Sequence, residues 1–240
     1  MNTTLDEILN ALSGFVLVGS TGNKLETAAN FLLRNYGVEP VFKGYMPEGH
    51  KDFYPNILCV SINNEVIHGL PDDRKFQEGD VISIDCGIKD KDGLIYDGAV
   101  TVLCGEKDEE GRIQGCSASA RKLVKATQEA LEAGVLAARA GKTNFTITEA
   151  IEKVAKKYDL TVVHNYGGHG VGEKLHEPPF IANRSADVKG EPFKLESGMR
   201  IAIEPMFSTN RGETYVDKNG WTVKVPAGVA AHFERTIVVP

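Results

Sequence analysis

The sequence predicts an α+β fold made of two related halves, and three observations carry that expectation. Helical and strand-like segments come in blocks along the 240 residues, in the order helices, strands, helices, strands. A faint internal echo links LSGFVLVGSTGNKLETAANFLLRNYGVEPVFKGY with LAARAGKTNFTITEAIEKVAKKYDLTVVHNYGG, each running through glycine, threonine, a helix, tyrosine, a strand and a Tyr-Gly or Gly-Tyr pair. No proline-rich or low-complexity linker divides the halves, so residues 1–240 read as one domain with approximate internal duplication.

Residues 4–12 and 25–36 carry apolar side chains at three- and four-residue spacing, which predicts two amphipathic helices. A turn region with Gly44, Pro47, Gly49 and Pro55 leads into ILCVSI, a short β-branched segment read as a strand. VISIDCGI and LIYDGAVTVL flank KDKDG, whose Asp92-Gly93 step supplies a positive-φ turn, so they predict an antiparallel hairpin. Asp85 then lies on its first arm and Asp97 on its second. From Ser117 to Ala140 and again over 146–158, helix formers with periodic Leu, Val and Ala predict two more helices. VVHNYGGHGVG, MRIAIEPMF, WTVKV and AAHFERTIVVP return to short apolar or alternating runs, read as strands.

Bulk properties narrow the function. Apolar residues at 42% and charged residues at 25% match an ordinary globular protein. A formal charge of −6 without a local basic patch argues against a nucleic-acid substrate. Cys59, Cys86, Cys104 and Cys116 form no C-x-x-C pair, so neither a zinc knuckle nor a redox motif is suggested. The first residues lack the basic and apolar regions of a secretory leader, and no stretch approaches a membrane span. A reducing, cytoplasmic setting without membrane contact is expected.

Five residues stand out as candidate cation ligands. Asp85 closes an apolar strand and Asp97 precedes another, so two acids would meet across one hairpin and repel unless something compensates. Glu204 interrupts RIAIEPMF and Glu234 interrupts AAHFERTIVV, both otherwise core strands. Buried carboxylates protonate or acquire a partner, so four of them on apolar strands point to a cation, although projection from exposed strand faces would also account for them. His169 sits among four glycines, which removes steric cover around the imidazole. Nucleotide readings fail: no acid follows the glycine run at dinucleotide spacing, and Leu136 holds the position where a phosphate loop ending in Gly141-Lys142-Thr143 needs glycine. His68 and His176, beside turn residues, suit the rim of a cleft. His50, His164 and His232 have no context that lifts them above surface or ordinary core residues.

SINNEVIHGLPDD, VISIDCGI, YDGAVTV, YGGHGVGEKLHEPP, AIEPM, GWTVKV and HFERTI, in this order over residues 20–240, resemble the type I methionine aminopeptidases. The resemblance implies the pita-bread fold of creatinases and aminopeptidases, two similar halves closing around a dinuclear site. It further implies that Asp85 chelates one divalent metal, that His169 and Glu204 bind the other, and that Asp97 and Glu234 bridge both. Four carboxylates and one imidazole suit manganese, iron(II), cobalt or zinc. On the family pattern Glu204 is also the general base, His68 protonates or positions the scissile amide nitrogen, and His176 steadies the tetrahedral intermediate. Tyr45, Tyr54, Cys59, Leu175 and Trp221 would line the methionine pocket, and the substrate's free amino group would bind a metal. Peptide or nascent-chain N-termini are the implied partners, a transient ribosome contact is compatible with them, and a monomer is the family default.

Three departures mark this chain. Leu175 stands where phenylalanine is common, His232 where glutamine is usual, and Arg235 where histidine is usual. The loop between Trp221 and Glu234, VKVPAGVAA, lacks the residues expected of a monovalent-cation site. Two rivals stay open on the sequence alone. A proline-directed peptidase of the same fold would carry an added N-terminal domain, for which the segment before Asp85 is too short. A metal-free binding module would lose ligands, and all five are present.

Overall fold

The computed structural model describes residues 3–47, 49–106, 108 and 113–240. Helices α1 (Thr3–Ser13) and α2 (Gly22–Tyr36) open the chain. Strands β1 (Glu39–Pro40), β2 (Cys59–Ile62), β3 (Glu65–Ile67), β4 (Val81–Lys89) and β5 (Ile95–Leu103) follow. Helices α3 (Ala118–Ala137) and α4 (Phe145–Tyr158) begin the second half. Then come β6 (Thr161–Val162), β7 (Gly167–Gly170), β8 (Glu177–Ala182), β9 (Arg200–Ile203) and β10 (Met206–Ser208). The last strands are β11 (Tyr215–Val216), β12 (Val223–Lys224), β13 (Ala230–His232) and β14 (Glu234–Val238).

Helix boundaries follow local chemistry. Thr21 caps α2 by accepting a hydrogen bond from the Lys24 amide, and Gly37 ends it at φ 65°, a conformation that costs glycine little. Ser117 is the cap of α3, accepting from the Ala120 amide at 3.0 Å, so the helix starts one residue later than its composition suggests.

An eight-stranded antiparallel sheet runs β1-β4-β5-β14-β9-β7-β8, with β2 also paired to β4. Its centre repeats the halves in mirror order: the β4–β5 hairpin of the first meets β14 and β9 of the second, so β5 and β14 lie side by side. Two three-stranded sheets, β13-β10-β6 and β11-β12-β3, flank it.

Period-two alternation sorts the sheet's faces. Ile82, Ile84, Cys86 and Ile88 on β4 pack with Leu5, Ile8, Leu12, Leu25 and Leu33 of α1 and α2. Ile201, Ile203 and Ile237 pack with Leu123, Ala130, Ile147 and Ile151 of α3 and α4. Both clusters therefore cover one face of the sheet, and each fully buried Leu or Ile there contributes about 1.5–3 kcal/mol of transfer free energy. The intervening residues of the same strands, Ser83, Asp85, Asp97, Ala99, Ala202 and Glu234, turn to the opposite face.

Two segments that read as single strands are each broken. RIAIEPMF divides into β9 and β10 around Glu204-Pro205, and AAHFERTIVV divides into β13 and β14 around Phe233. Proline lacks the amide a ladder needs, and the chain there leaves the large sheet for the small one, where Met206 pairs with His232. Glu204 and Glu234 thus sit at the two points where the chain changes sheets. Among the described residues no helix is long and apolar enough to cross a membrane.

Candidate metal centre and substrate cavity

Strand register brings the five candidate ligands to one place. Asp85 pairs with Ala99 and Gly87 with Asp97, so the two acids are diagonal neighbours on one face rather than directly opposed. Glu234 pairs with the same Ala99, which sets it beside both. On the other side of β14, Thr236 is opposite Ala202, carrying Glu204 to that face just past the end of β9. Gly170 pairs with Ile201, and its neighbour His169 falls on the face of Ala202.

The glycines around His169 serve this packing. A Cβ on Gly168 would lie 2.0 Å from the Ala202 carbonyl oxygen, and one on Gly170 would lie 2.2 Å from that of Pro178. The group that approaches these glycines closely is neighbouring backbone.

All five side chains are buried, at 4–9% exposure. Their ligand atoms form two triads, Asp85–Asp97–Glu234 and His169–Glu204–Glu234, within each of which the atoms lie within 4.8 Å of one another. Glu234 is common to both. A third such group joins Asp97 and His169 to His176.

Burial chiefly, then the charges of Asp97 and Glu204, hold the Asp85 carboxyl well above the usual carboxylate range. Burial followed by Asp97 does the same for Glu204, and burial followed by Asp97, Glu204 and Asp85 for Glu234. Asp97 rises from 3.8 to about 7, again through burial, opposed by the Gly98 amide and Asp85.

These residues fit a pair of divalent cations. Asp85 Oδ1 and Glu234 Oε1 are buried without a hydrogen-bond partner among the described residues, a costly state that a cation would relieve. His169 Nδ1 lies 2.9 Å from the Gly170 carbonyl oxygen, which can only accept, so Nδ1 carries the proton. The Nε2 lone pair is left to face Glu204 and Glu234, each with an oxygen 3.7 Å away. Asn183 Nδ2 donates to the Glu204 carbonyl oxygen at 2.8 Å and fixes the backbone at the sheet crossing.

A cavity of about 360 Å³ opens over this cluster, and every residue singled out in the sequence lines it: the five ligands, His68, His176, Tyr45, Tyr54, Cys59, Leu175 and Trp221. Tyr54 stands edge-on to Trp221 with ring centroids 5.0 Å apart, and its hydroxyl donates toward the Leu58 and Gly69 carbonyl oxygens. Glu26 of α2 accepts from the Ile57 and Leu58 amides, which anchors the entry to β2 and hence Cys59.

His68 adopts φ 57°, a left-handed conformation that costs a non-glycine residue about 1–3 kcal/mol and here turns the side chain into the cavity. Burial, then His50 and His169, lower its pKa to about 4, so the ring is neutral near pH 7. His176 remains exposed at the mouth, its Nδ1 sharing a 2.6 Å hydrogen bond with the Tyr45 hydroxyl.

Two of the histidines that line the cavity were not assigned to it by the sequence reading. His50 lies over Trp221 at a centroid distance of 4.4 Å, and His232 is 2% exposed with Nε2 near both Glu204 and Glu234. The loop position of His50 gave no signal, and position 232 was marked only as a departure from the pattern of the resembled family. Arg235, by contrast, points to the helix side and pairs with Glu132 of α3 at 3.1 Å, so this departure lies away from the site.

Comparison with known proteins agrees with this geometry. A profile of metallopeptidase family M24 matches residues 3–240. The methionine aminopeptidase of Aquifex aeolicus is 42% identical over 235 residues, 97% of this chain and 87% of that protein. That of Clostridium perfringens is 34% identical, over 98% of this chain and 88% of its own length. The crystal structure of methionine aminopeptidase from Thermotoga maritima superposes with a TM-score of 0.86 at 34% identity, covering 98% of this chain and 88% of that one. Prolidase from Pyrococcus furiosus matches at a TM-score of 0.71 and 19% identity, with 58% of its chain covered, a likeness of fold. A cluster of four buried carboxylates and one imidazole at the join of two similar halves, together with these matches over nearly the whole chain, places the protein in metallopeptidase family M24.

Proposed function

We propose that this chain is a methionine aminopeptidase that removes N-terminal methionine from nascent proteins and peptides. The observation that carries the reading is a buried, oxygen-rich cluster with one imidazole at the floor of an aromatic-walled cavity. Residues 1–240 act as one catalytic domain, since both halves contribute ligands to the same sheet face. In this reading Asp85, Asp97 and Glu234 hold one divalent cation, and His169, Glu204 and Glu234 hold the second. Asp97 as a second bridge rests on the family pattern. The set suits cobalt, manganese, iron(II) or zinc. When bound, the cations supply Lewis acidity toward the scissile carbonyl and the attacking water.

The chain's own groups do the rest. Glu204 accepts the proton of the attacking water. Tyr45, its pKa raised by burial and then by Asp97, keeps its hydroxyl proton, and in this reading that hydroxyl is the donor in the bond it shares with His176 Nδ1. His176 then carries its own proton on Nε2, as a donor to the developing oxyanion. His68, neutral and held at the cavity wall, orients the scissile amide. Tyr45, Tyr54, Cys59, Leu175 and Trp221 offer the methionine side chain an apolar and aromatic surface suited to a thioether.

The same reading makes the enzyme a cytoplasmic monomer that meets its substrates as N-termini emerge, with a transient ribosome contact. Four free, buried cysteines are consistent with a reducing compartment. A release assay with Met-Ala-Ser, Met-Lys-Ser and Ala-Pro peptides across Mn, Fe, Co and Zn tests the proposal. Methionine released from Met-Ala-Ser, no alanine from Ala-Pro, and loss of turnover with a retained fold in Glu204→Gln are expected. Failure of the metal-reconstituted protein to bind about two cations or to release methionine would overturn it.

A further inference from the structure

His232 ends β13 and precedes, across the sheet crossing at Phe233, the ligand Glu234. Its backbone is locked on two sides. Met206 of β10 is its register partner, the His232 amide donates to Thr101 Oγ1 at 2.9 Å, and that hydroxyl donates to the His232 carbonyl oxygen at 2.6 Å. Thr101 is in turn bonded to Ser83 on β4 at 2.8 Å, so the imidazole is referenced to the same hairpin that carries Asp85 and Asp97.

The ring itself is almost wholly buried, and Nε2 has no hydrogen-bond partner among the described residues. It is nonetheless aimed at two carboxylates, 3.6 Å from Glu204 Oε2 and 3.8 Å from Glu234 Oε2. His169 Nε2 stands 3.7 Å from Oε1 of each of the same two groups. Glu204 and Glu234 are therefore flanked, with one imidazole at their Oε1 edge and another at their Oε2 edge. An unsatisfied buried nitrogen placed almost equally between two acids is within reach of a hydrogen bond: a small rotation of either carboxylate closes one.

We propose that His232 is a positioning residue, donating from Nε2 to Glu204 Oε2 and so presenting the Oε1 edge of Glu204, with His169, to the second cation. The inference rests on reading the cluster as a two-cation site. Ligands oriented by such a neighbouring donor bind metal more tightly, with losses of about 10- to 100-fold when the donor is removed. Because a side-chain amide also offers an N–H donor, glutamine at position 232 can serve the same purpose, whereas a ring without nitrogen cannot.

The experiment uses the full chain stripped with chelator and titrated with Mn(II) by calorimetry, alongside the Co(II) electronic absorption spectrum. His232→Ala and His232→Phe should weaken the second equivalent of Mn(II) by about 10- to 100-fold, leave the first within about threefold, and alter only the Co(II) bands of the second site. His232→Gln should restore the second equivalent to within about threefold of wild type. Phenylalanine keeps the buried volume, so it carries the test if the alanine variant does not fold. Wild-type binding of both equivalents by the phenylalanine variant would overturn the proposal and assign His232 to packing. Failure of glutamine to restore binding, with loss of a nitrogen-ligand signature in the Co(II) spectrum, would overturn it in favour of direct ligation. Absence of cation binding in the wild type would instead remove the two-cation reading on which the inference stands.

Discussion

Replacing Asp97 by asparagine should stabilise the cation-free protein at pH 8 and weaken the cation-bound one. Asp97 is 4% exposed, and burial lifts its carboxyl from 3.8 to about 7. For an acid raised in this way the folded state keeps its proton after the unfolded state has lost it. Between about pH 4 and pH 7 the unfolded chain binds fewer protons, so stability falls as pH rises through that window and the loss is complete above it. The interval from 3.8 to about 7 corresponds to at most about 4 kcal/mol. The substituted amide carries no charge in either state, while its oxygen can still accept the 3.0 Å hydrogen bond that the Gly98 amide makes to Asp97. In chelator the variant should match wild type near pH 4 and exceed it at pH 8 by up to roughly 8–16 °C in melting temperature, at 2–4 °C per kcal/mol for a chain of this size. Mn(II) should reverse the order. A cation at 100 times its Kd stabilises its site by about 2.7 kcal/mol, and the variant has surrendered one of the charges that binds it. Thermal melts from pH 4 to pH 8, with chelator and with Mn(II), read both arms. A cation-free variant no more stable than wild type at pH 8 would show that burial of Asp97 carries no such cost.

Three further changes test the geometry around the cluster. His68→Ala should lower kcat by about 10²- to 10⁴-fold with a KM shift of only a few fold, because its contact strengthens as the amide nitrogen departs; a pure KM effect in steady-state kinetics would contradict that role. Arg235→Ala should cost about 0–1 kcal/mol in chemical denaturation and leave kcat/KM unchanged, since Arg235 pairs with the half-exposed Glu132 on the helix side. Gly168→Ala puts a methyl 2.0 Å from the Ala202 carbonyl oxygen, so β7 must part from β9 and carry His169 with it. Calorimetry should then find the second Mn(II) equivalent lost, and wild-type stoichiometry would mean that the strands tolerate the displacement.

What the sequence discloses, and what it hides, follows from the range over which each residue is determined. The central hairpin is legible because Asp92-Gly93 and two apolar arms specify it locally, and the structure pairs Val81–Lys89 with Ile95–Leu103 around a glycine at φ 83°. Helices α1 to α4 are legible for the same reason, their stripes being written within one element. The five ligands become legible only as a set: each is an acid or imidazole with a local explanation, and the sheet order that joins Asp85 to Glu204 through β5 and β14 is set by pairings between halves.

Illegible features arise where the chain changes sheets. RIAIEPMF and AAHFERTIVV look like unbroken strands because apolar runs do not record which ladder an amide joins. Splitting both runs gives Glu204 and Glu234 their freedom to turn inward while β10 and β13 stay paired behind them. It also brings His232, two residues before Glu234, against both carboxylates, a contact for which no sequence spacing exists. The departure from glutamine at 232 and the departure from histidine at 235 are close together in the chain and look alike as substitutions. Strand alternation separates them once the break is known: Arg235 falls on the helix side of β14, while His232, still on β13, keeps its ring in the cavity. The sequence marks position 232 only as a departure, and it is the sheet crossing that sets its ring beside the two carboxylates.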